Sequence, residues 1–334
     1  MPDLYLTYLS RPDVEAAALA DEEILAAIEV GLAMQGRGET VIEPRVHLEP
    51  KSGAEGHFNV LRGFVGGQIG MAGVKVVGDF VGNYTRDLPS ELGLLCLFDP
   101  ETGAPVAVID ASGITEMRTG AVTAVGAKYL APKSPKVLGH IGARGSAYWN
   151  VRLLDGLFGF ETIRVHSRRA ASRDEFAASL TRELGKQVVA TADWRSCVEG
   201  ADIVVEASRL SAPEPLLRTK WIKPGALVVP YGTMSAVEPS LTDIMDKMVV
   251  DDWGQARAGK FGALRAHVDA GKLSEATLYG ELCEIAVGKK PGRVRDNETI
   301  LFWHRGLSLS DIALGHAMLA KATRQGIGQQ LRFA

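Results

Sequence analysis

Hydrophobic positions change their period along the chain. Residues 21–32 carry apolar side chains at helical spacing, with Asp21 placed as a cap and acids in the first turn. Shorter runs follow that alternate or are apolar throughout, at 45–48, 58–61 and 71–77. The last is β-branched and interrupted by one lysine, Lys75. Residues 92–99 and 105–110 read as a hairpin whose turn, 100–104, is supplied by proline and glycine. From Ser112 to Leu130 small residues recur at helical spacing, and Pro132 ends that helix. Beyond it the pattern becomes an alternation. Strands are expected at 136–141, 161–166, 188–191, 201–207, 226–230 and 247–251, with helical segments between them. That order predicts an α/β fold with a doubly wound parallel sheet of the Rossmann type. A last helix, 310–323, has the apolar spacing to pack back on the N-terminal part.

The first strand of the alternating region runs into Gly142-Ala143-Arg144-Gly145-Ser146-Ala147. Glycines suit a sharp strand-to-helix turn because the backbone there must pass close to a pyrophosphate, which sits on the free N–H groups of the helix start. Ala147 is small enough for the helix to pack on its strand. The match to G-x-G-x-x-A is imperfect, since Arg144 stands at the middle glycine and Gly145 follows one place late. An ordinary strand–turn–helix is therefore the competing reading, and the next strand weighs against it. Its tip is Ser167-Arg168-Arg169, with no acid to bond a ribose 2′-hydroxyl. A hydroxyl with arginines suits a 2′-phosphate, so NADP is expected, with NAD as the alternative. Ser208 and Arg209, just past the strand at 201–207, lie at a carboxyl end where nucleotides bind.

Composition narrows the class without naming it. The chain has 334 residues, 46% hydrophobic and 23% charged, which fits two domains with substantial cores. A formal net charge of −3 gives no reason to expect nucleic acid or an anionic membrane as partner. Cys96, Cys197 and Cys283 are far apart, which argues against a disulfide framework or zinc site and points to a reducing, cytoplasmic setting. Asp251-Asp252 has the look of a metal pair, but no third ligand stands at suitable spacing, and no metal is expected.

The hairpin 91–110, the helix segment Arg118-Thr119-Gly120-Ala121, Gly292-Arg293 and the stretch 302–311 together resemble the ornithine cyclodeaminase/μ-crystallin family. The resemblance runs from about Arg45 to about Gly315. It implies a homodimer of two-domain subunits, with a smaller α+β substrate and dimerisation domain (residues 1–118 and 308–334) flanking a Rossmann domain (119–307). It also implies hydride transfer between a nicotinamide and an amino-acid α-carbon, as in alanine dehydrogenation, reduction of ketimines or iminosuccinate, and ornithine cyclodeamination.

Such chemistry needs a cation for an α-carboxylate and a group that exchanges a proton with nitrogen. Arg45 and Arg118 stand at the family's carboxylate-binding positions, and an arginine fork matches a carboxylate with two hydrogen bonds. Arg118 interrupts a helix of small and apolar residues, so it needs either a substrate anion or an acid such as Glu116 or Asp110. Lys75 falls where the family keeps its lysine, and desolvation in a strand core would bring its pKa into the range useful for proton transfer. His304 and Arg305 lie in the family's cofactor-proximal segment by the same resemblance, so one of them is expected to touch the nicotinamide or the substrate, and Asn83 is a separate candidate to bond the cofactor. Asn83 alternatively ties a turn, and His304 is alternatively structural. One departure stands out: Gly232 occupies the place where cyclodeaminases and many relatives carry an acid. Its absence disfavours cyclodeamination and leaves an NAD(P)H-dependent oxidoreductase acting on a small imino or amino acid as the expected function. A cyclodeaminase that recycles its NAD and a non-catalytic NADPH-binding protein are the alternatives.

Overall fold

The computed structural model of the chain describes residues 3–51, 56–210, 212–259 and 261–334. Two compact units emerge, one made of Met1–Arg118 with Leu307–Ala334, the other of Thr119–Gly306. The first unit opens with β1 (Tyr5–Leu9), α1 (Arg11–Ala17) and α2 (Asp21–Arg37). Asp21 is the first helical residue of α2 and not its cap. The capping position is Ala20, whose N–H donates to the Glu23 carboxylate at 2.8 Å, so an acid of the first turn reaches back to the chain before the helix. Then come β2 (Thr40–Ile42), β3 (Val46–Leu48), β4 (His57–Val65), β5 (Met71–Asp79), β6 (Glu91–Phe98) and β7 (Pro105–Asp110). Helix α3 (Ala111–Leu130) follows, and the boundary between units falls within it.

The second unit alternates strands with helices: β8 (Val137–Ile141), α4 (Ala147–Phe158), β9 (Thr162–His166), α5 (Ala170–Leu184), β10 (Val188–Ala190), α6 (Trp194–Val198), β11 (Ile203–Glu206) and β12 (Leu227–Pro230). It continues with β13 (Lys247–Val250), α7 (Trp253–Ala258), α8 (Arg265–Asp269), β14 (Gly280–Glu281), α9 (Leu282–Ala286) and β15 (Ile300–Trp303). These strands form an eight-stranded sheet in the order β10-β9-β8-β11-β12-β15-β13-β14, and every pairing in it is parallel. Strands β11, β12, β13 and β15 are buried at every position, which is why their sequences are apolar runs without alternation, broken only by Glu206 at the end of β11 and Lys247 at the start of β13. The order reverses between β8 and β11, the place where such sheets open a crevice at their carboxyl ends.

The chain then returns to the first unit as α10 (Ser308–Gln325) and β16 (Gln329–Arg332). The sheet there runs β16-β1-β7-β6-β5-β4-β2, with β3 also on β4. Helix α10 lies across β4, β5 and β6. Close approach depends on Gly73, where a Cβ would come within 2.6 Å of Ile312. That contact sets the part of α10 carrying Asp311 over the strand carrying Lys75.

Candidate functional site

Lys75 points from β5 to the inside of the first unit. Its cross-strand partners are Leu61 and Leu95, both buried, and its own side chain is 1% exposed. An ammonium in such a place must be paired. It donates to Asp311 Oδ1 at 2.6 Å and to Thr115 Oγ1 at 3.1 Å. Thr115, one turn into α3, donates its own hydroxyl to the Ala111 carbonyl at 2.6 Å. Arg118, one turn further along α3, sends Nε to the same Asp311 oxygen at 3.0 Å. The ion-pair partner of Arg118 is therefore neither Glu116 nor Asp110. Asp110 bonds the Ser112 N–H at 3.1 Å at the start of α3, and Glu116 is a separate acid whose pKa burial raises.

Arg45 belongs to the same electrostatic neighbourhood. Burial pushes the Lys75 pKa down to about 8, Asp311 opposes that, and the charges of Arg118 and Arg45 add to the depression. One carboxylate thus faces both Lys75 and Arg118, and Asp311 Oδ2 has no hydrogen-bond partner. The cluster can take up a further anionic group, and Lys75 can exchange a proton near neutrality. Asp311 escaped the sequence reading. Its only signal was a lone acid among the otherwise apolar and small residues that open α10.

In the second unit, the turn after β8 supplies the features a pyrophosphate needs. Gly142 adopts φ +114°, and a Cβ there would stand 2.9 Å from the Ala207 carbonyl, so no other residue fits without strain. Gly145, at φ +58°, has open space where a side chain would be. Ser146 makes no side-chain cap to α4, which leaves the first-turn amides facing out of the helix. Its hydroxyl instead meets the Tyr231 hydroxyl at 2.7 Å. Ala147 is fully buried, as close packing of α4 requires. Ala143 and Arg144 complete the turn, and Arg144 reaches away to the Ser172 hydroxyl at 3.2 Å.

Ser167, Arg168 and Arg169 stand at the carboxyl tip of β9, beside β8. Arg168 meets Glu214 at 2.5 Å in an exposed ion pair, and Arg169 is the residue before α5. Ser208, just beyond β11, bonds Glu206 through both its N–H and its hydroxyl. His304 is buried, with Nε2 2.9 Å from the Thr123 hydroxyl and its ring 4.6 Å from that of Tyr231. Asn83 lies in the first unit and locks its own loop, donating to the Pro89 carbonyl at 3.0 Å. That geometry favours the turn-tying role.

The two aspartates after β13 have structural partners. Asp251 accepts the N–H groups of Arg305 and Gly306 at 2.8 and 2.9 Å, and Asp252 caps α7 through the Gln255 N–H. Among the described residues, no cluster of histidine, cysteine and acidic side chains could hold a metal ion, and no helix is long and apolar enough to cross a membrane.

A parallel sheet whose order reverses beside a glycine turn defines a Rossmann-like, dinucleotide-binding class of fold, here joined to a second unit with a buried cationic cluster. The chain belongs to the ornithine cyclodeaminase/mu-crystallin family, whose sequence pattern matches residues 7–325. It is 28% identical to an alanine dehydrogenase of Archaeoglobus fulgidus, over 97% of this chain and 98% of that one. Its structure matches an archaeal alanine dehydrogenase dimer with bound NAD at a TM-score of 0.91 and 26% identity, covering 99% of this chain and 100% of the other. A Δ1-pyrroline-2-carboxylate reductase of Thermococcus litoralis, in complex with NADH and L-proline, matches at a TM-score of 0.89 and 27% identity, over 98% and 100% of the two chains.

Proposed function

We propose that this chain is an NAD(P)-dependent oxidoreductase that transfers hydride to or from the α-carbon of a small imino or amino acid. The observation that carries the reading is the pairing of buried Lys75 and Arg118 on one carboxylate, Asp311, with the charge of Arg45 also acting on Lys75. Arg118 and Arg45 supply the charge that holds a substrate carboxylate, and guanidinium forks orient it. Lys75 holds the proton that the substrate nitrogen takes as an imine becomes an amine. Asp311 and Thr115 aim the Lys75 ammonium. A nicotinamide cofactor, when bound, supplies the hydride. The turn 142–147 holds its pyrophosphate, the tip 167–169 its adenosine end, and Ser208 and His304 lie on the same unit. The three free cysteines accord with a cytoplasmic setting.

The direct test is a screen of 2-oxo acids with ammonia or small amines, and of cyclic imino acids, scored by loss of NADPH or NADH absorbance. Net oxidation supports the reading. Ammonia release from a diamino acid without net cofactor change would replace it with cyclodeamination, and cofactor binding with no turnover on any substrate would replace it with a binding role.

The cofactor is expected to be NADPH in preference to NADH. The Arg168–Glu214 pair must open, but an exposed pair is worth only about 0–1 kcal/mol. A charged hydrogen bond to a 2′-phosphate contributes about 1.5–3 kcal/mol, so the phosphate wins. Arg168→Ala should cut the preference by about tenfold or more. Dissociation constants for both cofactors check this, and tighter NADH binding in the wild type would overturn it.

The subunit is expected to pair with a second copy through the open face of the first unit's sheet. Val46, Val60, Val76 and Leu94 align in one row across β3, β4, β5 and β6, and Leu48, Phe58 and Leu92 align in the next. Val46, Leu48, Val76, Leu92 and Leu94 are exposed apolar side chains on the side of the sheet opposite Lys75. A contiguous apolar face of this kind marks an interface, and the archaeal relative is described as a dimer. Leu94→Glu should shift the mass in light scattering from dimer to monomer, and an unchanged mass would exclude this face.

A further inference from the structure

Strand β11 is an apolar run, Ile203-Val204-Val205, that ends in a fully buried glutamate, Glu206. Its neighbours in register are Ile141 on β8 and Pro230 on β12. One carboxyl oxygen, Oε1, accepts the Ser208 N–H at 2.8 Å and also meets the Ser208 hydroxyl. The other, Oε2, is buried with no hydrogen-bond partner. The room for this carboxyl comes from Gly232, just past β12. A Cβ at Gly232 would lie 2.5 Å from both carboxyl oxygens and 2.7 Å from the Ser208 carbonyl. The chain therefore gives up any side chain at 232 and fills that volume with an acid from the neighbouring strand.

Burial is the largest influence on this acid and raises its pKa to about 7, while the hydroxyl and N–H of Ser208 and the backbone of Gly232 hold it lower. No charged side chain is among the groups that set it. The titratable groups on adjoining elements are engaged elsewhere. On β8, His140 is pushed down to about 4 by burial, with Nδ1 at the Gly142 carbonyl and its ring against Phe176 of α5. After β12, the Tyr231 hydroxyl is taken up by Ser146 and Asn150. Beyond Ser208 the chain carries Arg209, which is not among the groups that act on this acid. The proton on Glu206 is thus poised near neutrality in a site without fixed charge.

Its place in the sheet says what would act on that proton. Glu206 ends the strand on the far side of the β8/β11 reversal from the basic tip of β9. A dinucleotide lies across such a reversal, with its two nucleotides over the two halves. The adenosine half goes with β8 and β9, so the half containing β11 and β12 receives the nicotinamide. The reduced ring is neutral and the oxidised ring carries a positive charge. A nearby positive charge favours the ionised form of a carboxyl group.

We infer that Glu206 is a redox-linked proton site: its carboxyl keeps its proton beside the reduced cofactor and gives it up to solvent when the oxidised cofactor binds, leaving a carboxylate that compensates the cationic ring. The inference rests on the oxidoreductase reading. No electron moves in this step; one O–H bond breaks and one proton leaves. Ser208, bonded to the other oxygen, stabilises the carboxylate so formed.

The test is calorimetric titration of the wild type with NAD⁺ and with NADH, in two buffers of different ionisation enthalpy, from pH 6 to pH 8. These two cofactors lack the 2′-phosphate, whose own ionisation would confuse the result. At pH 7, NAD⁺ binding should release about half a proton, and its affinity should rise about tenfold from pH 6 to pH 8, while NADH binding does neither. Glu206→Gln keeps the shape and the Ser208 contact, and should abolish both effects for NAD⁺. Equal proton release by the two cofactors in the wild type overturns the inference, whether or not the variant folds. So does undiminished release by a folded Glu206→Gln protein. If neither binds, NADP⁺ and NADPH take their place and the difference in proton release between those two is read, in which the 2′-phosphate cancels; if no dinucleotide binds, the oxidoreductase reading fails and this inference with it.

Discussion

Replacing Lys75 by alanine is expected to lower kcat by about 10²–10⁴, the range for loss of a general acid, while cofactor binding survives. Asp311 keeps Arg118 as a partner in that variant, so the fold retains a paired carboxylate. The pH dependence follows from the depressed pKa. With Lys75 titrating at about 8, the group is an ammonium below that value and a neutral amine above it. Imine reduction needs the ammonium, so its rate should hold below pH 8 and fall as pH rises through it. Oxidation of the amino acid needs the neutral amine and should rise over the same interval. Lys75→Arg separates proton transfer from packing, because arginine still gives Asp311 a cation but cannot release a proton near neutrality. Stopped-flow hydride transfer with a cofactor titration would decide. Wild-type transfer in Lys75→Ala, with normal cofactor binding, would reduce Lys75 to a strand lysine.

Lys75 and Arg118 were legible in the sequence for one reason. Each is a charge inside an apolar or small-residue pattern, and a buried charge demands a partner whatever the fold. The partner itself was not legible. Asp311 lies 236 residues from Lys75 and 193 from Arg118, and no local rule joins a strand, a helix and a returning C-terminal helix at that separation. The glycine turn could be read because its constraints are local: Gly142 needs its positive φ whatever packs around it. The alternation that follows disclosed a parallel sheet but not the insertion of β15 between β12 and β13, which is settled by packing across the sheet. Strands β1, β2 and β16 at the margins of the first sheet are short and lack a strong pattern. In the sequence Gly232 is legible only as a missing acid. Its meaning lies in Glu206, which in sequence is one more acid at the end of a parallel strand. Only the three-dimensional contact shows that the one residue makes room for the other. Arg168 is legible in the sequence as a base at a strand tip, but its exposed pairing with Glu214 arises from a loop 46 residues away.

Asp311→Ala should be the most destabilising single change in the first unit. It would leave Lys75 and Arg118 close together, with Arg45 adding to the repulsion and no carboxylate to balance them. Removing one partner of a buried ion pair costs about 3–5 kcal/mol, because the charges left behind stay desolvated. A loss of that size should lower the Tm by about 6 °C or more. Asp311→Asn keeps the volume and one acceptor oxygen, and should cost less. Its effect on catalysis should be distinctive. Asp311 opposes the depression of the Lys75 pKa, so neutralising it should move the break in the pH–rate profile of imine reduction below pH 8. The substrate carboxylate would then meet the same cations with less competition, so KM should hold or fall while kcat near neutrality drops. A residue that merely supports packing would lower stability without moving the pH break. Thermal unfolding of both variants, together with the pH–rate profile of Asp311→Asn, provides the test. An unmoved break with a raised KM would mean that Asp311 orders the substrate pocket and does not set the proton affinity of Lys75.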